Sequence, residues 1–157
     1  MINLKELSLG QGRGSAGDLG FLRVLTTLTS LDIGGAKPTP PDMGGFRRVV
    51  RDPAPPLPEH TIKAIAELKE LRVLRMGYTG VSTADLKALS VLRNVEKLGL
   101  QECPRVDDAA LAELRNWKSL KYLDLQDTKV TEQGVAALRK AKPGLVILTT
   151  FGSPSQG

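Results

Sequence analysis

The sequence predicts an α/β solenoid, a right-handed stack of strand–turn–helix units whose strands join in one parallel sheet. Three observations predict it. A unit Leu-x-x-Leu-x-Leu recurs along the chain at a nearly constant step. Between copies the apolar spacing changes from every second residue, which marks a strand, to every third, which marks one face of a helix. A residue able to cap a helix stands just ahead of most helical stripes.

The copies are Leu4/Leu7/Leu9, Leu28/Leu31/Ile33, Leu71/Leu74/Met76, Val95/Leu98/Leu100 and Leu120/Leu123/Leu125, with a partial sixth at Leu145/Leu148. Their first positions are 24, 43, 24, 25 and 25 residues apart. The long step is one ordinary period plus an insertion. The helical stripes between them are Leu19/Leu22/Leu25, Ile62/Ile65/Leu68, Leu86/Leu89/Leu92, Leu111/Leu114/Trp117 and Val135/Leu138/Ala141. Ser15, Ser82, Asp107 and Thr131 share the cap column, and Asp18 and Asp85 stand three residues after the two serines, close to a capping box. Pro58 occupies that column in the second unit, so its helix is expected to begin at 59 to 61, since proline is tolerated only in a first turn.

Seven of the ten prolines fall between Pro38 and Pro58, in "GGAKPTPPDMGGFRRVVRDPAPPLPEH". This insertion, about residues 35–56, leaves the repeat after the second strand and rejoins it at Leu57, in the column of Val81, Val106 and Val130. It reads either as a tolerated surface excursion, because long loops cost little, or as a specificity loop at the rim of the sheet face. Phe46, Arg47, Arg48 and Arg51, with two valines among them, favour the second reading.

The fourth unit, "VEKLGLQECPRVDDAAL", resembles the cysteine-containing branch of the leucine-rich repeat family, with Cys103, Val106, Asp108 and Leu111 in register with L-x-x-L-x-L-x-x-C-x-x-I-T-D-x-G-L. The fifth, "LKYLDLQDTKVTEQGV", has Thr128 at the turn and Gly134 before the helix, a form common in bacterial members. The resemblance covers nearly the whole chain outside the insertion. It implies a horseshoe with the parallel sheet on the concave side and short helices on the convex side, and recognition of proteins as the usual activity.

All 157 residues read as one domain of five repeats and a partial sixth, with 41% hydrophobic and 25% charged residues. No apolar run is long enough for a membrane span, and "MINLKELSLG" has none of the parts of a signal peptide. With a single cysteine there is no internal disulfide, which favours a reducing cytoplasm unless an export signal has been removed. The chain opens almost directly on its first strand, so it is expected either to be part of a longer protein or to associate end to end through that edge.

The inventory argues against an enzyme. His60 is the only histidine and sits at a helix entrance, so no metal pair and no nucleophile with its base can be assembled. Cys103 lies in the turn column, where a structural role is expected. Asp107 is a cap, and with Glu102 and Asp108 it matches no calcium loop. The glycines at 10, 12, 14 and 17 lack the Lys-Ser/Thr of a phosphate loop. No cofactor or metal is expected.

What remains is binding. Alternation along the strands turns Leu7, Leu9 and their equivalents inward and exposes two columns. One is Glu6, Ser30, Val73, Lys97, Tyr122; the other is Ser8, Asp32, Arg75, Gly99, Asp124, continued by Thr149. Asp32 and Arg75 are thus expected side by side. The expected contact residues for a protein or peptide partner are Asp32, Val73, Arg75, Lys97, Tyr122 and Asp124, joined by Phe46, Arg47, Arg48 and Arg51. Nucleic acid is a weaker alternative: the net charge of +5 permits it, but the six aromatics offer no stacking platform. Substrate recognition in a ubiquitin-ligase-like complex is another, and it requires F-box helices that this chain does not contain.

Overall fold

The structure is a computed structural model that describes residues 3–9, 19–35 and 55–151. Six three-residue strands, β1 (Glu6–Ser8), β2 (Ser30–Asp32), β3 (Val73–Arg75), β4 (Lys97–Gly99), β5 (Tyr122–Asp124) and β6 (Val146–Leu148), form one sheet in chain order. Every pairing is parallel. Leu7, Leu31, Leu74, Leu98, Leu123 and Ile147 stand opposite one another as its central inward rung. Sequential order follows from the repeat: each unit can bury its leucines only against the next.

The helices α1 (Glu59–Ala66), α2 (Thr83–Leu89), α3 (Asp108–Leu114) and α4 (Glu132–Ala141) pack each on the next on the other side of the core. Their starts follow the predicted caps. Ser82 and Asp85 form a full capping box, in which the Asp85 carboxylate accepts from Ser82 N at 2.8 Å. The Asp107 carboxylate accepts from the backbone of Ala109 and Ala110, and the Thr131 hydroxyl accepts from Gly134 N. Pro58 is the cap of α1, which begins at Glu59. Ser15 and Asp18 lie outside the described residues, and the stripe at Leu19/Leu22/Leu25 forms a 3-10 helix over Gly20–Val24.

Leu68, Leu92 and Trp117 lie beyond their helices yet are buried, so the period-three stripe runs on into the turn that returns the chain to the sheet. Leu57 enters the core as expected of the residue that restores the register after the insertion. Past the strands the chain bends at the same step in three successive units, with Tyr78, Glu102 and Asp127 at φ of 61, 55 and 55°.

Expectations fail at Leu9, at Ala141 and in the sixth unit. Leu9 is 37% exposed, because its strand has a neighbour on one side only within the described sheet. In β6 the register is one residue earlier than the leucine spacing suggests. Ile147 faces the core, and Leu148, not Thr149, continues the column of Asp124. The cause is a shortened approach. Leu120 is followed by two residues before the inward Leu123, whereas Leu145 is followed by one before Ile147. Helix α4 is correspondingly longer than α3, Ala141 is exposed, and Gly144 takes up a φ of 92° in the turn. Lys142 then stands where Trp117 stands one unit earlier, each accepting from the first leucine of the coming strand, and the Lys142 ammonium donates to Trp117 O at 2.7 Å.

Candidate interaction surface

The outer face of the sheet carries the two predicted columns. Glu6, Ser30, Val73, Lys97 and Tyr122 are in register with Val146, and Ser8, Asp32, Arg75, Gly99 and Asp124 with Leu148. The structure therefore brings Asp32, Val73, Arg75, Lys97, Tyr122 and Asp124 onto one face. Phe46, Arg47, Arg48 and Arg51 lie outside the described residues.

Asp32 and Arg75 are neighbours across β2 and β3, but they form no ion pair. The Asp32 carboxylate instead accepts from Gly34 N at 2.9 Å, and the Asp124 carboxylate accepts from Gln126 N at 3.1 Å. Both aspartates fasten the bend that follows their own strand, as aspartates do at turns. Nearby, Glu96 holds two other cations, Arg72 at 3.3 Å and Lys121 at 3.2 Å, which ties three successive units together along the rim. Arg75 and Lys97 are exposed and have no ion-pair partner among the described residues.

Between them the face is notched. Gly99 supplies no side chain, so a depression of about 180 Å³ opens over it, walled by Arg75, Lys97, Tyr122 and Asp124 and reaching Val73 and Gln101. That is smaller than the roughly 300–1,000 Å³ of a drug-sized ligand site. It suits one amino-acid side chain. Gln101 was not among the expected contact residues, although it continues the outward alternation of Lys97 and Gly99 by one more step. Its side chain occupies the space that a Cβ at Gly77 would need, and its Oε1 lies 3.0 Å from where a Cβ at Gly99 would sit. This oxygen is buried and has no hydrogen-bond partner.

Below the face, a column of small donors lines the turns after β3, β4 and β5. The Thr79 hydroxyl donates to Met76 O at 2.7 Å, the Cys103 thiol to the same oxygen at 3.2 Å, and the Thr128 hydroxyl to Leu125 O at 2.8 Å. Cys103 is therefore a structural turn residue, and burial pushes its thiol pKa up, away from the reactive thiolate. Inward apolar residues in one parallel rung, a hydroxyl or thiol in the turns after β3, β4 and β5, and helices returning on the other side decide the matter.

The fold is a leucine-rich repeat solenoid. No family model and no curated protein matches this chain. Among solved structures it is similar to an internalin, inlF, from Listeria monocytogenes, with 18% identity and a TM-score of 0.47 over 87% of this chain and 38% of that one. It is also similar to internalin C2 of that organism, with 17% identity and a TM-score of 0.49 over 85% of this chain and 56% of that one. The solenoid thus spans less than two thirds of either, and the likeness says nothing of its function. Among the described residues no group of His, Cys, Asp and Glu is placed to hold a metal ion, and no helix is long and apolar enough to cross a membrane.

Proposed function

We propose that this solenoid is a protein-interaction module without catalytic activity, and that its partner lies on the outer face of the sheet. The observation that carries the reading is the notch over Gly99 with its two unpaired cations. The inner face is spent on the leucine core, whereas this face presents Asp32, Val73, Arg75, Lys97, Tyr122 and Asp124 side by side with little internal pairing. Tyr122 is the aromatic of the set, half-buried and suited to anchor a partner. Phe46, Arg47, Arg48 and Arg51 of the insertion extend the contact, since the loop departs just beyond β2. The free, buried Cys103 thiol fits a reducing compartment.

The test compares two positions for a photo-crosslinking residue, Lys97 on the sheet face and Arg115 on the helix side. A partner should be trapped from the first and not from the second. Tyr122→Ala combined with Arg75→Glu should weaken capture roughly thirtyfold or more, the loss of about 2 kcal/mol expected of an interface hot spot, with the circular dichroism spectrum unchanged. Removing residues 36–54 should weaken capture as well. Undiminished capture by the double variant means that the partner lies elsewhere.

A further inference from the structure

We infer that the notch over Gly99 seats one carboxylate, the side chain of a glutamate or aspartate presented by a peptide segment of the partner. The inference rests on the sheet-face reading above and adds the chemistry of what is recognised. Arg75 is the register partner of Gly99, and Lys97 precedes Gly99 by two residues on the same strand, so both cations border the same gap. Neither is neutralised. Glu96, next to Lys97 in sequence, is already shared between Arg72 and Lys121, while Asp32 and Asp124 are each tied to a backbone N–H.

A carboxylate entering the gap meets a guanidinium that can bind it with two parallel N–H donors, and an ammonium beside it. Val73 and Tyr122 offer apolar surface to the side chain's stem. The volume admits a single side chain. The surroundings also select against a polyanion. Asp32 and Asp124 flank the two cations and Glu6 stands farther along the face, so a phosphate backbone crossing the strands meets repulsion at either side. One carboxylate in the notch meets a single acid, Asp124, against the two cations Arg75 and Lys97.

The probe is a phage-displayed random octapeptide library selected on the intact chain. Selected peptides should share one acidic position. Changing that acid to its amide should weaken binding about tenfold or more on the wild-type chain. On the Arg75→Gln/Lys97→Gln variant the same change should matter less than about twofold, because the cations that read the charge are gone. Both variant positions are exposed, so an unaltered thermal midpoint is expected and separates recognition from folding. Peptides that bind without an acidic position, or that lose equally on both chains, overturn the carboxylate seat. The sheet-face reading survives that result if Tyr122→Ala still abolishes their binding. Failure to select any peptide, together with retention of a random oligonucleotide that Arg75→Gln releases, overturns both.

Discussion

Cys103 shows how a single residue can look chemical and be structural. It sits where the neighbouring units place Thr79 and Thr128, and its thiol makes a turn hydrogen bond to Met76 O that lies one repeat away. Threonine should therefore replace it with a change in stability within about 1 kcal/mol, the worth of one hydrogen bond, measured by urea unfolding. The pH dependence is more telling. Burial raises the thiol's pKa in the folded chain, while the unfolded chain titrates near the ordinary value of about 8.5. The folded state then holds the proton that the unfolded state releases, so stability from this group is full below about pH 8.5 and is lost as pH rises toward the raised value. The stability of the wild type relative to Cys103→Thr should be constant from pH 6 to about 8 and fall above about 9, by at most about 1.4 kcal/mol per pH unit. A difference that stays flat to pH 10 would mean that the thiol is not desolvated.

At the scale of elements, the cap of helix α4 is held from outside its own repeat. The Asp108 carboxylate, on the first turn of α3, accepts from both Thr131 N at 2.8 Å and the Thr131 hydroxyl at 2.6 Å. Gly134 is where that carboxylate passes, and a Cβ there would collide with it. Two consequences of opposite sign follow. In the wild type, Gly134→Ala should destabilise by about 1 kcal/mol by displacing the cap. In an Asp108→Ala background it should stabilise by about 0.5–1 kcal/mol, the usual gain of alanine over glycine in a helix. A double-mutant cycle by thermal unfolding reads the sign change, and equal effects in both backgrounds would remove Asp108 from the cap. In the sequence the cap column at Ser82, Asp107 and Thr131 was visible because capping is local. The bond from Asp108 to the following repeat was not, because its partners stand 23 residues apart. The same limit explains β6: the leucine spacing counts residues, whereas the strand's register is decided by how the turn at Gly144 lands on β5. It also explains Gln101, whose importance comes from missing side chains at Gly99 on β4 and at Gly77 in the turn after β3.

The whole molecule is a stack with coupling between nearest neighbours, and its response to damage should depend on how many neighbours the damaged unit has. Leu98 and Ile147 occupy the same inward rung and both are buried, but β4 is paired on two sides and β6, within the described sheet, only with β5. Truncating Leu98 to alanine should cost near the upper end of the range of about 2–5 kcal/mol for such a cavity, because two interfaces lose packing. Ile147→Ala should fall near the lower end, with packing lost against β5 alone. The two should also differ in kind. A weakened centre lets the units of β1–β3 and of β5–β6 unfold in separate steps, so the urea slope of Leu98→Ala should fall and its transition broaden. A weakened edge frays without dividing the rest, leaving the slope of Ile147→Ala near the wild-type value. Amide exchange adds the location: in Leu98→Ala the amides of Met76 and Leu100, which donate across β3–β4 and β4–β5, should lose protection before that of Ile33. Equal costs and equal slopes for the two variants would show a stack that yields as one block. The sheet face would then be rigid from end to end, rather than adjustable unit by unit under a bound partner.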